Sequence, residues 1–402
     1  MVAMLGCTAA IAAVEPAEIP VTIGNVDLVS PGGAQLLDGA LTLHPKALAG
    51  AGWDSNPEFT NTSNGSPFLR LGAGLDAGLK LDALRQITLR SEYLRQDYDP
   101  SIQAPTVTYL AELRAAQDGR DLDADLGLSV RRIDDRLPDL NERISRVVAS
   151  GDAGATRHWS SVQGGLRLGY ERTSYLEDSS TFTAADRDNR LATVTGSLRY
   201  PDRDDPAGIL LVDVDQRHFD TNIAYNDATG TSLLVGIAGS SSDRLRYQIL
   251  AGPQLHNYSD NFRGDPAYND SRVATVRIDG NATWQWSNAS SLRLGLVNKL
   301  DDGTQANAVR ALHTTAELRT RLAARLRTAA TANWDRSVAS GAPAGAQLDR
   351  RWTTALRLTL TWEVQRNLVI EAAVQTTRSR SDTTPSADYD RLTAGVVMAV
   401  AL

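Results

Sequence analysis

The stretch Ala355-Leu-Arg-Leu-Thr-Leu-Thr-Trp-Glu363 sets Leu356, Leu358, Leu360 and Trp362 on alternate positions, with Arg357, Thr359, Thr361 and Glu363 between them. Successive side chains of an extended strand point to opposite faces. This is therefore a ribbon with one apolar and one hydrophilic face. The same alternation recurs upstream. Leu69, Leu71, Ala73, Leu75, Ala77, Leu79 and Leu81 oppose Arg70, Gly72, Gly74, Asp76, Gly78 and Lys80. Ala274, Val276, Ile278, Gly280, Ala282 and Trp284 oppose Thr275, Arg277, Asp279, Asn281 and Thr283. A soluble strand can alternate in this way with one face on a core. A chain that does so almost throughout, in long strands with short connections, reads as an all-β transmembrane barrel with lipid outside and water inside.

Composition fits this reading. The chain has 402 residues, and none of its apolar runs approaches the roughly 18 needed for a membrane-spanning helix. A tilted spanning strand needs only about 9–11 residues, and alternation keeps mean hydropathy low. The net charge of -7 argues against nucleic acid as a partner. Cys7 is the only cysteine, so no disulfide framework, iron–sulfur site or cysteine zinc site can be built.

Three segments follow. Residues 1–14 (MVAMLGCTAAIAAV) read as a signal-peptide remnant with an A-x-A-like site at Ala10-Ile11-Ala12. Met4-Leu-Gly-Cys7 is an imperfect lipoprotein box. Residues 15–40, punctuated by Pro16, Pro20 and Pro31-Gly-Gly33, read as an irregular periplasmic leader or small plug. Residues 41–402 read as the barrel.

Within the barrel the connections alternate between short ones, such as 82–85 and 364–367, and longer polar ones, such as 54–67 and 258–270. That is the layout of an up-and-down antiparallel barrel with periplasmic turns and extracellular loops. The spacing predicts 18 strands. A short helix over Leu137–Val148 would reduce the number to 16, and both counts stay open. Trp159, Tyr200, Trp284, Trp286 and Trp362 fall at turn ends. Trp53, Tyr93, Tyr98, Tyr170, Tyr175, Tyr258, Trp334, Trp352 and Tyr389 fall toward loop ends, as interfacial girdles would. Residues 391–402 alternate as a closing strand, the element through which barrel-assembly machinery would engage the chain.

Leu41-Thr-Leu-His-Pro45 followed by Gly50-Ala-Gly-Trp-Asp-Ser-Asn56 resembles the opening of an outer-membrane beta-barrel porin family found beside exopolysaccharide gene clusters. Arg131-Arg-Ile-Asp-Asp135 and the strand end Glu92-Tyr93 are similar to it as well. The resemblance spans about residues 41–402. It implies a barrel in the bacterial outer membrane and, by association, export of a polysaccharide. It implies no catalytic residues.

The residues themselves also show little catalytic chemistry. His44, His158, His218, His256 and His313 form neither H-x-x-x-H nor H-E-x-x-H. Asp121-Leu-Asp-Ala-Asp125 begins like a calcium loop, but Leu126 and Arg132 occupy the positions that need Gly and Glu. No P-loop or strand-linked dinucleotide motif is present. No cofactor, metal or catalytic site is expected.

The candidate site is instead the hydrophilic face. Its basic members are Arg70, Arg90, Arg114, Arg131, Arg199, Arg217, Arg277, Arg293, Arg325, Arg327 and Arg357. Its acidic members are Asp76, Glu92, Glu112, Asp123, Asp125, Asp213, Asp215, Asp279, Glu317, Glu363 and Glu371. Facing rows of opposite charge would order water in a polar channel, or would simply pair across strands. The expected partners are outer-membrane lipid and small saccharides or a polysaccharide. A non-conducting barrel that displays its loops and a barrel hydrolase are the alternatives.

Overall fold

A computed structural model describes residues 34–37, 39–59, 64–136, 143–178, 183–201, 206–220, 227–259, 271–302, 308–340, 350–382 and 388–401. Cys7 and the segments read above as a signal-peptide remnant and, up to residue 33, as a leader lie outside the described residues. A short strand, β1 (Ala34–Leu36), runs antiparallel to residues Leu41–Leu43.

From Leu41 the chain is a meander of 18 strands. The first nine are β2 (Leu41–Asp54), β3 (Ser66–Lys80), β4 (Arg85–Tyr98), β5 (Thr106–Gln117), β6 (Leu122–Arg136), β7 (Arg143–His158), β8 (Gln163–Tyr175), β9 (Asn189–Tyr200) and β10 (Ala207–Phe219). The second nine are β11 (Ala228–Ser242), β12 (Leu245–Tyr258), β13 (Arg272–Ser287), β14 (Ser290–Asp302), β15 (Ala308–Ala323), β16 (Leu326–Ser340), β17 (Arg350–Gln365), β18 (Leu368–Ser381) and β19 (Tyr389–Ala401). Each pairs antiparallel with its sequence neighbours. β19 returns to β2, from Thr393 opposite Asp54 to Ala401 opposite Lys46, and closes the barrel. One helical turn, Ala184–Arg187, lies between β8 and β9.

The 16-strand alternative is overturned. Arg143–Val148 belongs to β7 and pairs with β6 on one side, and from Arg146 with β8 on the other. Ile144 and Val148 are buried on its inward face. β-branched side chains suit a pleated wall better than a helical turn.

Alternation maps onto accessibility. Leu358 is 57% exposed whereas Arg357 is 6% exposed. Leu69, Leu71, Leu166, Leu168, Val235 and Val276 are likewise exposed. Large apolar side chains left open all around a molecule form a belt that hydrocarbon solvates and water does not. Trp159, Tyr200, Trp284, Trp286 and Trp362 also point outward at the turn end, as do Trp53, Tyr93, Tyr170, Trp334 and Trp352 toward the loops. Tyr98, Tyr258 and Tyr389 do not join a girdle, because they are buried. Parity is the reason: Tyr93 and Tyr98 are five residues apart on β4, so their rings lie on opposite faces.

The inward face is not uniformly polar. Leu211, Leu234 and Leu250 on β10, β11 and β12 form a buried cluster, with Ile209 packed against it. One seam also departs from the regular wall. β13 and β14 pair only between Ile278 opposite Asn298 and Ser287 opposite Ser290. β14 and β15 nevertheless stay paired up to Asp302 opposite Ala308. Leu300 and Ala308 pack with Ala228, Tyr258 and Val273, which share the inward parity of Ser232, Gln254 and Arg277 on their strands. The loop-side ends of β14 and β15 therefore lie inside the barrel, over β11–β13.

Candidate functional site

The inward face is organised as rows of ion pairs. The strands impose this arrangement: residues two apart on one strand, or opposite on the next, are within reach of a guanidinium. Along single strands, Arg90 pairs with Glu92 at 2.8 Å, Arg114 with Glu112, Arg277 with Asp279 at 2.9 Å and Arg319 with Glu317 at 2.9 Å. Across strands, Lys46 pairs with Asp76, Arg327 with Glu363, and Arg357 with Glu371 at 3.2 Å. Arg277 also reaches Asp213 at 2.9 Å, where both side chains are almost fully buried and Thr195 donates a hydroxyl to the carboxylate at 2.8 Å. A buried pair of this kind is tolerable only because its remaining hydrogen-bonding groups are occupied.

On β6–β8, Arg167 contacts Asp125 at 2.7 Å and also Asp152. Glycine makes room for this triad. A Cβ on Gly154 would sit 2.6 Å from Asp125 Oδ1, and one on Gly127 would sit 2.5 Å from Asp152 Oδ1. One row away, His158 is the last residue of β7, and its Nε2 lies 2.9 Å from Asp123.

At the loop end of the closing seam, Arg391 holds Asp54 through Nε at 2.9 Å. Tyr98 donates to Asp54 at 3.2 Å, Gln96 contacts Tyr98, and Arg70 donates to Gln96 at 3.0 Å. The Arg391 guanidinium lies 4.2 Å above the Phe59 ring, which meets Tyr389 edge-on at 5.6 Å. Asn56 donates to the Asp390 carbonyl at 3.1 Å. The Asp54-Ser-Asn56 stretch thus ties the first and last strands together.

The other expected residues fall as follows. Arg131, Arg199, Asp215, Arg217 and Arg293 share the parity of these pairs on β6, β9, β10 and β14. Arg325 does not lie on a strand. It sits exposed in the β15–β16 turn and donates to the Val364 carbonyl at 3.2 Å, because the strand before it ends at Ala323. Sequence reasoning missed Asp54, Lys46, Gln96, Asp152, Arg167 and Arg391. Arg167 was legible, since it alternates with Leu166 and Leu168. Asp152 was not, because Gly and Ala on both sides leave no apolar face to read.

Outside the wall, the Asp82 carboxyl in the β3–β4 turn is held below its usual range by Arg85 and by backbone N–H groups of Leu84 and Arg85. Asp99 beyond β4 is lowered by the Ser101 N–H and hydroxyl. Both local caps persist at neutral pH and weaken as acid protonates the carboxylates.

His313 comes closest to a catalytic arrangement, with Asp335 at one ring nitrogen and the Thr315 hydroxyl 2.9 Å from the other. Backbone N–H groups around it are committed to the β14–β16 ladders, so none is aimed at the hydroxyl as an oxyanion donor. Among the described residues no group of three or more His, Cys, Asp or Glu could hold a metal ion.

A family model described as Putative beta-barrel porin 2 matches residues 33–402. The chain belongs to that family. It is a porin-like barrel of the bacterial outer membrane. OccK2 (OpdF) of Pseudomonas aeruginosa, solved in complex with glucuronate, is similar to this porin with a TM-score of 0.50 and 11% identity, over 93% of this chain and 99% of that one. OpdK of the same organism, solved with vanillate, gives 0.48 and 10% over 89% and 99%. Its ferric enterobactin receptor PfeA gives 0.43 and 7% over 90% and 80%. These identities speak to the fold alone. No curated protein matches the chain.

Proposed function

We propose that this porin is a passive conduit for hydrophilic solutes, with saccharides or an exported polysaccharide as cargo. The pairing of inward charges carries the reading. Arg167 with Asp125 and Asp152, Arg357 with Glu371, and Arg277 with Asp213 and Asp279 each set a cation against carboxylates. Such a wall offers dense hydrogen-bond donors and acceptors without a field of one sign, which suits neutral polyhydroxylated solutes better than one class of ion. Leucines outside and ion pairs inside divide the same strands between lipid and water, as a channel wall requires.

Among the described residues the inward side chains favour a conduit over a hydrolase. Among the described residues the Asp335–His313–Thr315 relay has no oxyanion donor, for the reason given above. Purified protein in planar bilayers is expected to show discrete conductance steps, and vesicles carrying it are expected to swell in neutral sugars. A barrel that inserts yet passes neither ions nor sugars would favour a display role for its loops instead.

A further inference from the structure

The inward-lying strand ends of β14 and β15 are held by a side chain that imitates a strand. Gln254 on β12 accepts from the Leu300 N–H through Oε1 at 2.8 Å and offers Nε2 to the Leu300 carbonyl at 3.4 Å. One carboxamide thus makes the donor–acceptor pair that a neighbouring strand would otherwise make. Nε2 also lies 3.0 Å from His256 Nε2, and Gln254 itself is buried. The wall left behind is sealed by side chains. Asn298 donates to the Val276 carbonyl at 2.5 Å, and Arg310 to the Ala274 carbonyl at 3.3 Å.

Charge explains why the strand leaves the wall. Continuing the Ile278–Asn298 register would put Arg277 directly opposite Lys299 and Val276 opposite Leu300. Two cations would then face each other on one inward row, which disfavours pairing. In the observed arrangement Lys299 lies 3.3 Å from Asp301, and Arg277 keeps Asp213 and Asp279. Leu300, whose parity with Leu294 and Leu296 would aim it at lipid, is 2% exposed among protein side chains.

We infer that Gln254 is a positioning residue for solute size. It holds Lys299–Asp302 and the paired Ala308–Ala311 against the inner wall, where they narrow the passage. Release would let these strand ends move off the inner wall and widen the lumen, and β14 would rejoin β13 only where the repulsion between Lys299 and Arg277 is also removed. This rests on the channel reading above, and it adds which residue sets the upper size of the solute.

Two variants of the full chain test it by opposite physics. Gln254→Leu removes both amide contacts at similar volume. Lys299→Glu replaces the repulsion toward Arg277 by attraction and sets a second carboxylate beside Asp301. Both are expected to admit an oligosaccharide that the unaltered porin excludes, with vesicle swelling about fivefold faster for that sugar. In Gln254→Leu, hydrogen exchange at the Leu300 amide should also be about tenfold faster. An unchanged size limit in both variants, with folded barrels confirmed by heat-modifiable gel mobility, would overturn the assignment. Equal passage of sugars with unchanged Leu300 exchange would sink the latch and leave the channel standing. Accelerated exchange in a barrel that passes no sugar would sink the channel reading and leave the latch.

Discussion

β17 and the turn-side half of β14 carry the same alternating pattern, yet of the two only β17 stands in the wall along its whole length. On β17, Leu356, Leu358 and Leu360 face outward and Arg357 faces Glu371 inside. On β14, Leu294 and Leu296 follow suit, but Leu300 turns up against Val273 and Tyr258 within the barrel. The difference lies in the neighbours. β17 meets Thr331 and Gln375 across from Arg357, whereas β14 would meet Arg277 across from Lys299. Alternation therefore fixes which face of a ribbon is apolar. It does not fix which side of the wall the ribbon lies on.

Five substitutions can break or sharpen that contrast, read as unfolding free energies in a lipid bilayer. The largest effect is expected at Arg277→Met, which strands the buried Asp213 carboxylate and should cost about 3–5 kcal/mol. A cost below about 1 kcal/mol would show that Asp213 is reached by water after all. Next comes Leu358→Arg on the outward face of β17, expected at about 2–4 kcal/mol if that position lies near mid-membrane. Tolerance there would place Leu358 outside hydrocarbon.

Leu300→Ala should cost about 2–3 kcal/mol, because protein surrounds the side chain and leaves a cavity. Leu358→Ala should cost less than about 1 kcal/mol, since lipid chains fill the space. Equal costs for the two would erase the distinction between wall and inward strand. The smallest effect is expected at Thr359→Arg, under about 1 kcal/mol, because an inward side chain can extend into water. That variant should change conductance more than stability.

Much of the fold was legible in the residues. The long and short connections fell where turn residues interrupt alternation, and the apolar sides of β3, β13 and β17 were readable strand by strand. β7 was the exception. Its Gly151-Asp-Ala-Gly154 centre has too little contrast between faces, and only pairing with β6 and β8 made it a strand. The site was legible as a face but not as contacts. Arg357 and Glu371 could both be assigned inward, yet nothing in their positions 14 residues apart shows that they touch. Arg167 reaching over Gly154 to Asp125 depends on the registers of β6, β7 and β8 together.

From the sequence alone came the two-faced ribbons, their number with one ambiguity, and the chemistry of each face, because period-two alternation is a local property of the chain. Tertiary structure decided which carboxylate each arginine meets, which tyrosines turn inward and where β14 leaves the wall. Those outcomes depend on strand register, which sets residues far apart in sequence about 5 Å from one another and makes their charges attract or repel.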